Sequence, residues 1–206
     1  MEWLINTLIY LPAVLIALTF HEYAHGKVAD MLGDQTPYYQ GRLTLNPLPH
    51  IDWIGFLMLL FFKFGWAKPV QVNPYNFKKV GIKRGMMLVS LAGPVMNILL
   101  AFVGMFLLKV LIPFQSGEWA GMFIQLIYPL IYINLILAAF NLIPVPPLDG
   151  SKILAGLLPD EGANVIYSLE QYGPILLLLL IVTDVAPKII WPLVNGMYGL
   201  LSMIMF

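Results

Sequence analysis

Apolar residues fill this chain in long runs, separated by short polar stretches rich in proline and glycine, and the run lengths predict the elements. The first run begins at about residue 3 with Leu4-Ile5, continues through Leu18, and ends in Phe20-His21-Glu22-Tyr23-Ala24-His25. Continued to about residue 28, it reads as a membrane-length helix with a polar end. Residues 53–62 are apolar for only about ten positions before Lys63, too short for the roughly 20 residues of a spanning helix. They predict a re-entrant or interfacial hairpin. The runs 86–112 and 120–143 are long enough to span, and the second stops at Pro144-Val145-Pro146-Pro147. Two more apolar segments, about 172–182 and 189–206, close the chain, and the first is short unless it begins nearer Ala163. Between the runs, Arg42 to Leu45 alternates polar and apolar, which predicts a short strand, and residues 65–74 read as a second extended stretch. The expected fold is an all-α polytopic membrane protein. It has about five spanning helices, a re-entrant hairpin, and short extended segments near the site described below.

Composition agrees. The 206 residues are 60% apolar and 11% charged, against about 45–50% and about 25% in soluble domains. Eleven basic and eleven acidic residues cancel, so nothing favours nucleic acid as a partner, and the lipid bilayer is the expected surroundings. With no cysteine, any metal site must use histidine, carboxylate and water. The N-terminus lacks the basic region and cleavage site of a signal peptide, so the first helix is expected to be retained. One domain, 1–206, is the natural count, with a core over 1–158 and extra membrane segments over 159–206. Lys78, Lys79, Lys83 and Arg84 precede a spanning run and place that segment on the cytoplasmic side. With residues 53–62 re-entrant, His21 lies on that side too. The 120–143 helix returns to it, bringing Asp149 to the same depth.

The polar helix end carries the chemistry. Histidines four apart lie one above the other on a helix face, close enough to share one zinc ion, and in H-E-x-x-H the glutamate serves as general base toward water. His21, Glu22 and His25 form that pattern. Two histidines and one carboxylate would leave a tetrahedral position open to water, as in catalytic zinc sites. Asp149 is the favoured third ligand, with His50 and Asp52 as rivals. Its other reading is the N-cap of a helix over 150–158.

In order along the chain, further segments accompany this triplet: Leu32-Gly33-Asp34, Gly41-Arg42-Leu43-Thr44-Leu45-Asn46-Pro47, His50-Ile51-Asp52, Gly65-Trp66-Ala67-Lys68-Pro69-Val70, Leu91-Ala92-Gly93-Pro94-Val95-Met96-Asn97, and the run from Asn141 to Gly150. With them the chain resembles the site-2 proteases, intramembrane zinc metalloproteases, in the short form without PDZ or CBS domains. Trp53 and Gln71 stand where many relatives have proline. The resemblance implies one zinc ion held by His21, His25 and Asp149 plus water, with Glu22 as catalytic acid/base. It also associates Asn141 with substrate or oxyanion binding. Asn97 is a weaker candidate for that role and is first of all a candidate to bridge helices. The implied substrate is a transmembrane protein, and the expected location is a prokaryotic cell membrane, with the site opening toward the cytoplasm. No feature specifies an oligomeric state. Two other readings compete: a non-proteolytic zinc-binding carrier or scaffold, which has no use for Glu22, and a membrane zinc protease of another lineage using Glu161 or Glu170.

Overall fold

A computed structural model describes the backbone of residues 2–62 and 65–205, and the side chains of these apart from 2–8, 62 and 118. Lys63, which closes one apolar run, lies outside the described residues. The chain is helical, with no named strand among the described residues. Helix α1 (Glu2–Leu32) leads through the short α2 (Thr36–Tyr39) and an irregular stretch to α3 (Trp53–Phe62). Helices α4 (Ile82–Leu111) and α5 (Glu118–Asn141) form a long antiparallel pair. Then come α6 (Asp149–Leu157), α7 (Asp160–Leu169), α8 (Gly173–Val182) and α9 (Val185–Met205).

Among the described residues, four stretches are long and apolar enough to cross a membrane: Ile82–Phe114, Trp119–Asn141, Asp160–Val182 and Val185–Met205. These are four of the five expected spans, and with the family evidence below they make the chain an integral membrane protein. The third begins at Asp160 rather than 172, because α7, a 3-10 turn over Glu170–Tyr172 and α8 follow one another almost without a break.

Helices α1, α4 and α5 pack on one another, and small residues let them approach. Ala17, Ala101, Ala138 and Ala139 are wholly buried along their seams. One apolar cluster joins Met105 and Leu108 of α4, Ile131 and Leu135 of α5, and Val194 and Leu201 of α9. Lys109, near the far end of α4, donates its Nζ to the carbonyl of Met205, a cation placed at the negative end of the α9 dipole.

The strand expected over Arg42–Leu45 does not form. That stretch is a series of turns and bends, and Arg42, the polar position that alternation would send outward, is buried. Its guanidinium donates to the carbonyls of Lys68 and Pro69 (3.3 Å for Pro69), so the stretch is held by a side chain rather than by a strand neighbour. Among the described residues one isolated antiparallel bridge forms, Ile51 to Ala67, with Lys68 N–H donating to His50 O at 2.9 Å beside it.

Candidate metal centre

Helical periodicity in α1 sets His21 and His25 one above the other, with ring centroids 4.5 Å apart. Both are buried and face α4. Asp149 arrives from the first turn of α6, after the proline-rich turn that follows α5. Gly150 makes that arrival possible, because a Cβ there would lie 2.4 Å from the carbonyl oxygens of Leu142 and Ile143. The Asp149 carboxylate does not cap its helix: the N-cap position is Leu148. Its Oδ2 instead lies 3.3 Å from His21 Nε2 and 3.2 Å from His25 Nε2, and the two Nε2 atoms are 2.9 Å apart.

The other ring nitrogens are engaged elsewhere. His21 Nδ1 is 2.7 Å from Asn97 Oδ1, and His25 Nδ1 is 2.7 Å from the carbonyl of Val89. A carbonyl cannot donate, so each contact calls for N–H at Nδ1 and turns the Nε2 lone pair toward the other histidine and the carboxylate. Two lone pairs and an anion facing one point suit a cation. Tetrahedral zinc, with bonds of about 2.0–2.1 Å, sets its ligand atoms about 3.3 Å apart, which matches the two histidine–carboxylate separations, while the 2.9 Å between the Nε2 atoms is shorter. Gly93 of α4 forms the wall behind the rings.

These residues line a cavity of about 370 Å³ together with Glu22, Val70, Ser90, Asn141 and Lys152. Glu22 Oε2 accepts a 2.8 Å hydrogen bond from the Val70 N–H, which ties the acid side chain to the extended stretch after Trp66. Asn141 stands at the end of α5, and its Nδ2 donates to Leu137 O at 3.0 Å.

Other sequence candidates are placed elsewhere. His50 Nε2 meets the Thr44 carbonyl at 2.9 Å and its Nδ1 faces Arg42, while Asp52 accepts from Gly55 N–H at 2.9 Å at the start of α3. Among the described residues, the group able to share an ion is His21, His25 and Asp149, without Glu161 or Glu170. Asn97 bridges three helices and is wholly buried, its amide taken up by His21, Ala17 O and Asn134. Asn134 was missed by sequence reasoning. The available signal was an amide in the middle of an apolar span, which rarely stands there without a partner.

Comparison with known proteins gives a concordant picture. The profile of peptidase family M50 matches residues 112–180. A protein of Bacillus subtilis, provisionally named zinc metalloprotease YwhC, is 41% identical over 206 residues, covering 95% of this chain and 87% of its own length. A provisionally named zinc metalloprotease of Methanocaldococcus jannaschii is 33% identical over 150 residues, 71% of this chain and 69% of its own. The provisionally named zinc metalloprotease Rip2 of Mycobacterium tuberculosis is 30% identical over 172 residues, 81% of this chain and 63% of its own. No solved structure matches the chain.

Proposed function

This chain belongs to peptidase family M50, the site-2 proteases, and from that premise we propose that it cleaves peptide bonds in or near the transmembrane segments of membrane proteins. The observation that carries the proposal is the meeting of His21, His25 and Asp149 in one cavity with Glu22. In this reading the 206 residues act as one domain, α3 dips into the bilayer as a re-entrant element, and the site opens to the cytoplasmic side of a prokaryotic cell membrane. His21, His25 and Asp149 hold one zinc ion. Bound there, the ion supplies Lewis acidity, lowering the pKa of water and polarising a carbonyl.

The chain's own groups do the rest. Glu22 takes a proton from the attacking water and returns it to the departing amine nitrogen. Val70 N–H holds one carboxylate oxygen of Glu22, which leaves the other free to face the reacting centre. The Asn141 amide, on the same cavity wall, donates to the oxygen that becomes negative as the carbonyl is attacked. A substrate segment must unwind to be cut, and the extended stretch 70–73 offers backbone groups with which it can pair as an added strand.

The test is a comparison of membrane-protein fragments in cells carrying the parent chain or its Glu22→Gln variant, with zinc content measured on both purified proteins. The expected variant retains zinc and loses about 10²–10⁴-fold in cleavage. Fragments produced equally by a zinc-loaded Glu22→Gln protein would overturn the protease reading in favour of a zinc-binding scaffold.

A further inference from the structure

We propose that Asn97 and Asn134 are positioning residues for His21, a pair of buried amides that selects the tautomer in which His21 Nε2 is free to ligate. The proposal rests on the zinc-site reading above. Its basis is the direction of each hydrogen bond along a chain that crosses α5, α4 and α1.

The direction is set by two backbone carbonyls, which can only accept. Leu130 O lies 2.7 Å from Asn134 Nδ2, so the Asn134 amide must present its NH₂ to α5 and its Oδ1 toward α4. There Oδ1 accepts from Asn97 Nδ2 at 2.8 Å, and the second proton of that Nδ2 goes to Ala17 O at 3.1 Å. Asn97 therefore turns Oδ1 to His21 Nδ1, 2.7 Å away. Reversing Asn97 alone would set its oxygen against two acceptors, and reversing both amides would set oxygens against Leu130 O and Ala17 O. Only one polarity satisfies every group, and it ends with N–H on His21 Nδ1.

Both asparagines are completely buried, with 0% of their surface exposed, so no water competes for these groups. A buried polar group left unpaired is costly, which makes the polarity stringent. The two histidines also differ in how they are held. His25 rests on the main-chain carbonyl of Val89, which no substitution of a side chain removes, whereas His21 depends on a side chain. The site thus has one ligand with a fixed orientation and one whose orientation is written in residues 97 and 134.

The experiment uses the full chain purified in detergent, with zinc affinity measured by competition with a chromophoric chelator and the thermal midpoint of the metal-free protein measured beside it. Asn97→Leu keeps the volume and removes the acceptor; zinc should bind about 10–100-fold more weakly, as when partners behind metal-bound histidines are lost. Asn134→Leu, which does not touch His21, should lose less than Asn97→Leu and carries the test if Asn97→Leu does not fold. Labelling the histidines with nitrogen-15 adds a direct readout. The parent His21 should show its proton on Nδ1, and the Leu variants should show it redistributed to Nε2.

Parental zinc affinity in folded Asn97→Leu and Asn134→Leu proteins overturns the proposal. So does an unchanged His21 proton position in the two Leu variants. A His21→Ala control separates this from the site itself: if that variant binds zinc like the parent, the ligand assignment fails instead.

Discussion

Gly93 offers the most direct test of the metal centre, because the perturbation is a single methyl group aimed at two ligands. A Cβ on residue 93 would lie 2.5 Å from His21 Cε1, 2.5 Å from His25 Nε2 and 2.6 Å from His25 Cε1. Ordinary contact begins near 3.4 Å, so the rings must retreat by about 0.9 Å. The rings have little room, since both Nδ1 atoms are already held at 2.7 Å on their far sides. Metal ligation tolerates errors of about 0.2 Å, several times less than the displacement required. Gly93→Ala should therefore lower zinc affinity by more than about 100-fold, a loss of at least about 2.7 kcal/mol. The helix itself should gain, since alanine is favoured over glycine in a helix interior by about 0.8–1.0 kcal/mol. The metal-free variant should fold and keep its circular-dichroism spectrum while titrations with zinc show little binding. A Gly93→Ala protein that binds zinc as tightly as the parent would refute the idea that the ion sits between these rings.

Two further outcomes concern carboxylates. Asp149→Ala should reduce bound zinc from one ion toward none in purified protein, whereas Glu161→Ala and Glu170→Ala should keep it; retention by the Asp149 variant alone would send the third ligand elsewhere. Asp34 gives a pH-dependent signature away from the membrane spans. It is fully buried, and although burial raises its pKa, hydrogen bonds from Thr36, Asn76 and the Asn73 and Thr36 N–H groups outweigh that and hold it below the ordinary carboxylate value. A depressed folded pKa means that its stabilisation is present above about pH 4 and is lost as pH falls through the folded value. Asp34→Asn should lower the thermal midpoint at pH 7, Asp34→Ala should cost about 3 kcal/mol, and the gap between parent and variants should narrow as pH falls below about 4.

The sequence made the long helices and the His-Glu-His triplet readable, because both depend on local spacing. Run length defines a span, and a separation of four residues puts two side chains on one face whatever surrounds them. Asp149 was readable in another way, through the turn after α5 and the ordered motifs around it. Arg42–Leu45 misled because alternation describes a strand only when another strand lies beside it. Here the partner is the guanidinium of Arg42 reaching across to residues 68 and 69. Asn134 escaped notice because its meaning lies in a neighbour from α4, and no periodicity along α5 points across the bundle. Gly93 was visible as a letter in a motif, but its function as the space beside two imidazoles exists only once α1 and α4 are packed.

The placement of the proposed ligands also sets an order of events during synthesis. His21 and His25 leave the ribosome early, in the first helix, while Asp149 follows only after α4 and α5 have been made. Until then the nascent chain holds two imidazoles without their carboxylate, and the rings lack the wall that α4 provides at Gly93. Zinc that binds the assembled bundle stabilises that bundle alone. If Asp149 is the third ligand, a chain truncated before α6 should be inactive, and zinc binding to such a truncated chain checks this. On the proposed ligand set, the site is completed by α6, while α9, whose Val194 and Leu201 join the apolar cluster of α4 and α5, is still to be made.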